Sequence, residues 1–98
     1  MIVVRNVFRC KSGKATELAG RFQKMIPLAQ QAGLGKGRVM VDLVSTFWTV
    51  VFEMETADLA SYEQSFNERS STPEMRDAMG NYMELVEGGH REVFKLVD

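Results

Sequence analysis

Ile2 to Cys10 (IVVRNVFRC) is a short β-branched run that stops at Lys11-Ser12-Gly13, the pattern of a first strand. From Ala15 the apolar residues fall at Leu18, Ala19, Phe22, Met25, Ile26 and Ala29, the spacing of a helix that buries one stripe. Pro27 lies inside this pattern, so a bend or break is expected near Lys24 to Ile26, with the helix finished before Gly33-Leu34-Gly35-Lys36-Gly37. Arg38 to Val44 and Phe47 to Glu55 are strand-like and meet at Ser45-Thr46, a joint short enough to demand an antiparallel hairpin. Thr56 is the expected cap of a second helical region through Leu59, Tyr62 and Phe66. Polar residues from Asn67 to Ser71 interrupt it, and Thr72-Pro73-Glu74 restarts a helix through Met75, Ala78, Met79, Tyr82, Met83 and Val86, with a stop at Gly88-Gly89. Arg91 to Val97 reads as the closing strand.

The element order is βαββαβ. It specifies an α+β, ferredoxin-like sandwich: a four-stranded antiparallel sheet of order 4-1-3-2 with both helices on one face. Because side chains alternate along a strand, each strand divides into two sets. The larger and more aromatic sets are expected to meet the helices: Ile2, Val4, Asn6, Phe8 and Cys10; Trp48, Val50, Phe52 and Met54; His90, Glu92, Phe94 and Leu96. The opposite face still carries Val3, Val7, Val51 and Val93, and the helices cannot cover it too. An exposed Val-rich sheet face marks an interaction surface, so the expected partner is a second copy, sheet against sheet with two-fold symmetry. Arg5, Glu53 and Lys95 are placed to pair on or across that face.

Composition adds exclusions and one reason for the dimer. The 98 residues amount to a single domain over 1–98, with twelve Lys and Arg, thirteen Asp and Glu, one His and one Cys. A chain of this length buries roughly two-thirds of its unfolded surface, so its stability margin is thin unless a second subunit widens it. Lone Cys10 allows no internal disulfide, and no Cys/His spacing fits zinc. A net charge of -1 argues against a nucleic-acid partner. The apolar runs are too short for a membrane span, and a single free thiol suits the cytoplasm.

The stretches IVVRNVFRCKSGKATELAGRF, DLVSTFWTVVFEMET, ADLASYEQSF and REVFKLVD resemble the dimeric α/β-barrel superfamily, especially antibiotic-biosynthesis-monooxygenase-like and NIPSNAP-like domains. The resemblance spans essentially the whole chain and rests on element order and texture. It implies a dimer whose sheets form a barrel, with a pocket between sheet and helices in each subunit. Members of the superfamily oxidise aromatic polyketides without metal or flavin, degrade haem, or isomerise and dehydrate small rings. Asn6 resembles the Asn that haem-degrading members place on the pocket face of the first strand. Those members also use a His and a Trp in the second helical region, whereas here Trp48 lies on the third strand and His90 at the start of the fourth.

The candidate chemistry gathers around Asn6, a polar exception on an apolar face that must find hydrogen-bond partners. Trp48, Cys10 and His90 alternate onto the same expected side, near one mouth of the pocket. There Asn6 and Trp48 would orient a substrate and His90 would be its base. Phe8, Phe22, Met25, Phe52, Tyr62, Phe66, Tyr82 and Met83 form the expected lining for a small, flat, apolar ligand, or else an ordinary core. No cofactor or metal is expected: the Gly33–Gly37 segment lacks phosphate-loop spacing and the acids are scattered. Two functions follow. One is a cofactor-independent monooxygenase acting on an aromatic or quinol-like molecule. The other is a non-enzymatic ligand-binding or interaction module of the same fold.

Overall fold

A computed structural model describes residues 1–31, 33, 35–69 and 72–97, the side chains of 66, 68 and 69 excepted. The elements run β1 (Ile2–Cys10), α1 (Ala15–Gln31), β2 (Gly37–Val41), β3 (Thr49–Thr56), α2 (Leu59–Arg69), α3 (Pro73–Met79), a 3-10 turn (Tyr82–Leu85) and β4 (Val86–Lys95). The sheet order β2-β3-β1-β4 is the expected α+β, ferredoxin-like arrangement, with every neighbouring pair antiparallel. Among the described residues, no helix is long and apolar enough to cross a membrane.

Each helix follows from local chemistry. Leu18, Phe22, Met25 and Ala29 of α1 are buried against the sheet, as the apolar stripe requires. No break falls near Lys24 to Ile26: α1 runs on through Pro27 to Gln31. Pro27 and Gln23 both lie on the exposed side, where water can satisfy the Gln23 carbonyl that proline leaves without a donor, while buried Met25 and Ala29 anchor both flanks. The α2 cap is Asp58 rather than Thr56: its Oδ1 accepts from Ser61 N at 2.7 Å, and this bond holds the carboxyl below its ordinary range. Thr72 caps α3 as expected, its hydroxyl accepting from Met75 N at 3.3 Å.

The β2–β3 hairpin is antiparallel, but its connection is longer than two residues. Thr49 N donates to Asp42 Oδ1 at 2.8 Å instead of continuing the ladder, and residues 43–48 leave the sheet. Leu43 and Val44, read as strand from their apolar character, are 96% and 97% exposed because nothing packs on them. Trp48 ends the loop at φ 63, an uncommon conformation for a bulky residue.

β4 departs most from expectation. The second helical region ends at Met79, and the strand starts at Val86 and passes through Gly88-Gly89. β1 backbone approaches so closely that a Cβ on Gly89 would run into the Val7 carbonyl oxygen. Val4 pairs with Met54 and Val93, Asn6 with Phe52 and Arg91, and Phe8 with Val50 and Gly89. Directly paired residues share a face, so Arg91 and Val93 look toward the helices. His90, Glu92 and Phe94 look outward with Val7, Arg5 and Val3. This inverts the expected faces of the strand: Val93 leaves the outer face and Phe94 joins it. The physical reason is that β4 is an edge strand exposed on both sides, so burial does not force its bulkier set inward.

On the outer face Glu53 is only 7% exposed. Arg38 and Arg5 flank it at 2.6 and 3.2 Å, and Arg5 also reaches Glu92 at 3.7 Å. Lys95 does not join this cluster, because it pairs with Ile2 and shares the helix side.

Thr72→Ala is expected to cost about 1 kcal/mol of unfolding free energy, read as a lower denaturant midpoint. Gly89→Ala is expected to cost about 2 to 3 kcal/mol, since backbone on β1 has to shift. The Asp58 carboxyl has a folded-state pKa below its unfolded value, so its stabilisation is present above the unfolded value and is lost as pH falls through the folded one. The melting-temperature gap between wild type and Asp58→Ala should therefore be open at neutral pH and close in that acidic window.

Candidate ligand-binding site

Between the inner face of the sheet, α1 and α3 lies a cavity of about 600 Å³. Phe22 of α1 stacks on Phe52 of β3 with centroids 4.7 Å apart and planes 11° from parallel. Phe8 leans on Phe22 at 5.3 Å, and the Tyr82 ring meets Phe8 edge-on at 6.4 Å. These contacts make a continuous aromatic wall, each pair worth about 0.5–1.5 kcal/mol beyond its burial. Met25, Met54, Met75 and Met79 supply adaptable thioether surface beside it.

α3 is held over the cavity by a specific tie. Arg21 Nη1 on α1 donates to the Met79 carbonyl at 2.9 Å, at the point where Gly80 turns the chain out of the helix with φ 47. Gly80 has no Cβ to meet that guanidinium, so the two helices can sit this close. The turn brings Asn81 and Tyr82 to the cavity wall.

The polar part of the wall centres on Asn6, which is 8% exposed. Its Oδ1 accepts from Arg91 Nε at 2.6 Å. A guanidinium only donates, so this contact determines which end of the amide is oxygen and leaves Nδ2 as a donor. Among the described residues Nδ2 has no hydrogen-bond partner and Arg91 has no ion pair with a carboxylate. Arg76 contributes a second guanidinium to the lining, and no Asp or Glu is found among the described lining residues.

Of the side chains singled out from sequence, Asn6, Phe8, Phe22, Met25, Phe52, Tyr62 and Tyr82 come together on this cavity. The Phe66 side chain lies outside the described residues. Met83 is 63% exposed and does not line the cavity, because the chain has left the helix before reaching it. His90 sits on the outer face, beside a smaller hollow of about 300 Å³ that also takes in Val7, Arg9, Thr46 and Thr49. Its Nε2 lies 3.7 Å from Glu92. Trp48 belongs to the β2–β3 loop, where its carbonyl accepts from Cys10 N, and lines neither space. Cys10 is buried, and burial pushes its thiol up, away from the reactive thiolate. Among the described residues, no three His, Cys, Asp or Glu side chains are grouped to hold a metal ion.

Arg91, Arg76 and Asn81 were not singled out beforehand. Arg91 was hidden by the phase of β4, for which the Gly pair was the available signal. Arg76 and Asn81 were hidden by reading one helix to Val86, although Gly80 stands in its middle as a stop.

No family model matches the sequence, and no curated protein matches it. Solved structures do match. An uncharacterised NIPSNAP domain protein from Burkholderia xenovorans is 16% identical, with 99% of this chain and 95% of that chain covered at a TM-score of 0.81. A NIPSNAP family protein of unknown function from Agrobacterium tumefaciens is 14% identical over 98% and 87% of the two chains, at 0.80. A putative antibiotic biosynthesis monooxygenase from Chloroflexus aurantiacus is 15% identical over 99% and 93%, at 0.72. The likeness at such identities is one of fold: over nearly its whole length this chain folds like the NIPSNAP and antibiotic-biosynthesis-monooxygenase-like proteins that the sequence resembles.

Proposed function

We propose that this protein binds a planar aromatic small molecule in the cavity between its sheet and helices, as a homodimer joined through the outer sheet face. The observation that carries the reading is the aromatic wall of Phe8, Phe22 and Phe52, laid open along a space of about 600 Å³. A volume of that size suits a ligand of two or three fused rings, and cavities that hold small molecules are apolar with a few placed polar groups. The Met side chains in the lining can adjust to a flat ligand's outline.

A second reading, cofactor-independent oxygenation of a quinol-like or phenolic ligand, draws on Asn6 and Arg91, the polar break in that wall. In it the two residues orient the ligand. The ligand's own electron-rich ring reduces dioxygen, one oxygen atom entering the ring carbon and the other leaving as water with two hydrogens from the substrate. His90 has no part in this version, because it lies on the other side of the sheet.

Dimerisation is supported by the outer face, where Val3, Val7 and Val51 are only half-buried and Phe94 is 50% exposed. Covering such a surface with a second copy removes apolar area from water at about 25 cal/mol per Å².

Fluorescence titration with N-phenyl-1-naphthylamine should show saturable binding, and Met79→Trp, which fills the cavity, should weaken it at least tenfold. Unchanged affinity in that variant would exclude the cavity as the site. Oxygen uptake with a panel of hydroquinones and naphthols, lost in Arg91→Leu, is the expected sign of the second reading; no uptake across the panel leaves binding alone. Light scattering should report twice the 11.1 kDa chain mass, falling to the single chain in Val51→Lys.

A further inference from the structure

We propose that Asn6 Nδ2 and the Arg91 guanidinium form a paired donor site for an anionic oxygen, so that the cavity selects aromatic molecules carrying an ionised carboxylate, phenolate or enolate. The proposal rests on the reading of the cavity as an aromatic ligand site. It adds the charge of the ligand and the two residues that recognise it.

Three observations lead there. First, Asn6 is a buried amide at the centre of the sheet, flanked along β1 by Val4 and Phe8 and paired across to Phe52. A residue there for packing alone would be apolar, because a largely buried amide must find hydrogen-bond partners. Second, the Arg91 contact at 2.6 Å turns the amide oxygen toward the guanidinium and the amide nitrogen away from it. The nitrogen thereby becomes a donor on a cavity-lining residue, with no partner among the described residues. Third, Arg91 lines the same cavity and uses one of its five N–H groups on Asn6. It has no carboxylate partner among the described residues, and the described lining contains no acid to oppose its charge.

Amide and guanidinium therefore present donors side by side at the edge of an aromatic wall. Charge-assisted hydrogen bonds to an oxyanion are roughly twice as strong as neutral ones. A neutral ring of the same shape would stack equally well on Phe22 and Phe52 but would leave Arg91 unpaired. Discrimination between the two comes from the donor pair alone.

The test uses an isosteric pair, 2-naphthoate and 2-naphthamide, titrated calorimetrically into the full-length protein. The carboxylate is expected to bind at least tenfold more tightly than the amide. Arg91→Leu should bring the two affinities within about twofold by weakening the carboxylate only, whereas Arg91→Lys should keep part of the preference because the charge remains. Asn6→Leu should also reduce the preference, and a circular dichroism melt checks that it folds. Should it not, the Arg91 variants decide. Equal affinities in the wild-type protein, or a preference that survives Arg91→Leu, would overturn the anion site and leave the aromatic cavity standing. Binding of neither compound would overturn both readings.

Discussion

β1 is hydrogen-bonded along both edges, and its register against β3 and β4 decides which side chains of the sheet look toward the helices. Side-chain direction has a period of two, so a one-residue slip of either neighbour would exchange its inner and outer sets completely. In the register adopted, Asn6 has Phe52 on one side and Arg91 on the other. The aromatic wall, the amide and the guanidinium thus come from three adjacent strands at one level of the sheet. Gly89 helps hold that register, since β1 backbone passes where a side chain would otherwise stand.

The cavity owes its existence to what the second helical region fails to do. A continuous helix from 59 to 86 would lay one stiff rod across the inner face. Instead α3 starts afresh at the Thr72 cap and ends at Gly80, where Arg21 of α1 takes hold of its last carbonyl. This brings Met75 and Met79 over the sheet but leaves room beneath them. Open apolar surface of this kind is unfavourable when empty, because its atoms lack packing partners, and the deficit is recovered when a ligand supplies them.

The outer face solves a different problem. Glu53 is nearly buried on a sheet surface with no helix above it, and two guanidiniums offset the cost of its desolvation. Around this charged centre Val3, Val7, Val51 and Phe94 remain partly open. Apolar residues surrounding a self-neutralised charge cluster form a surface that can meet its own copy without stranding an unpaired ion.

Much of the fold was legible along the chain, because the evidence lay in local patterns. The stripe of Leu18, Phe22, Met25 and Ala29 has only one way to be buried, and the Thr72-Pro73-Glu74 start carries its own cap. The lining residues Phe8, Phe22, Phe52 and Tyr62 were legible for the same reason: they belong to apolar faces whose direction alternation or helical period dictates. Reading failed where the deciding force was non-local. Leu43 and Val44 look like strand, but Asp42 closes the ladder before them. His90 and Phe94 look like the inner set of β4, but an edge strand open on both sides gains little by burying either set. The order of the elements and the buried stripes follow from periodicity and caps that act within a few residues of chain. That Arg91 rather than His90 faces the cavity is settled in three dimensions, because it depends on pairing between strands 85 residues apart, as the Asn6–Arg91 contact shows.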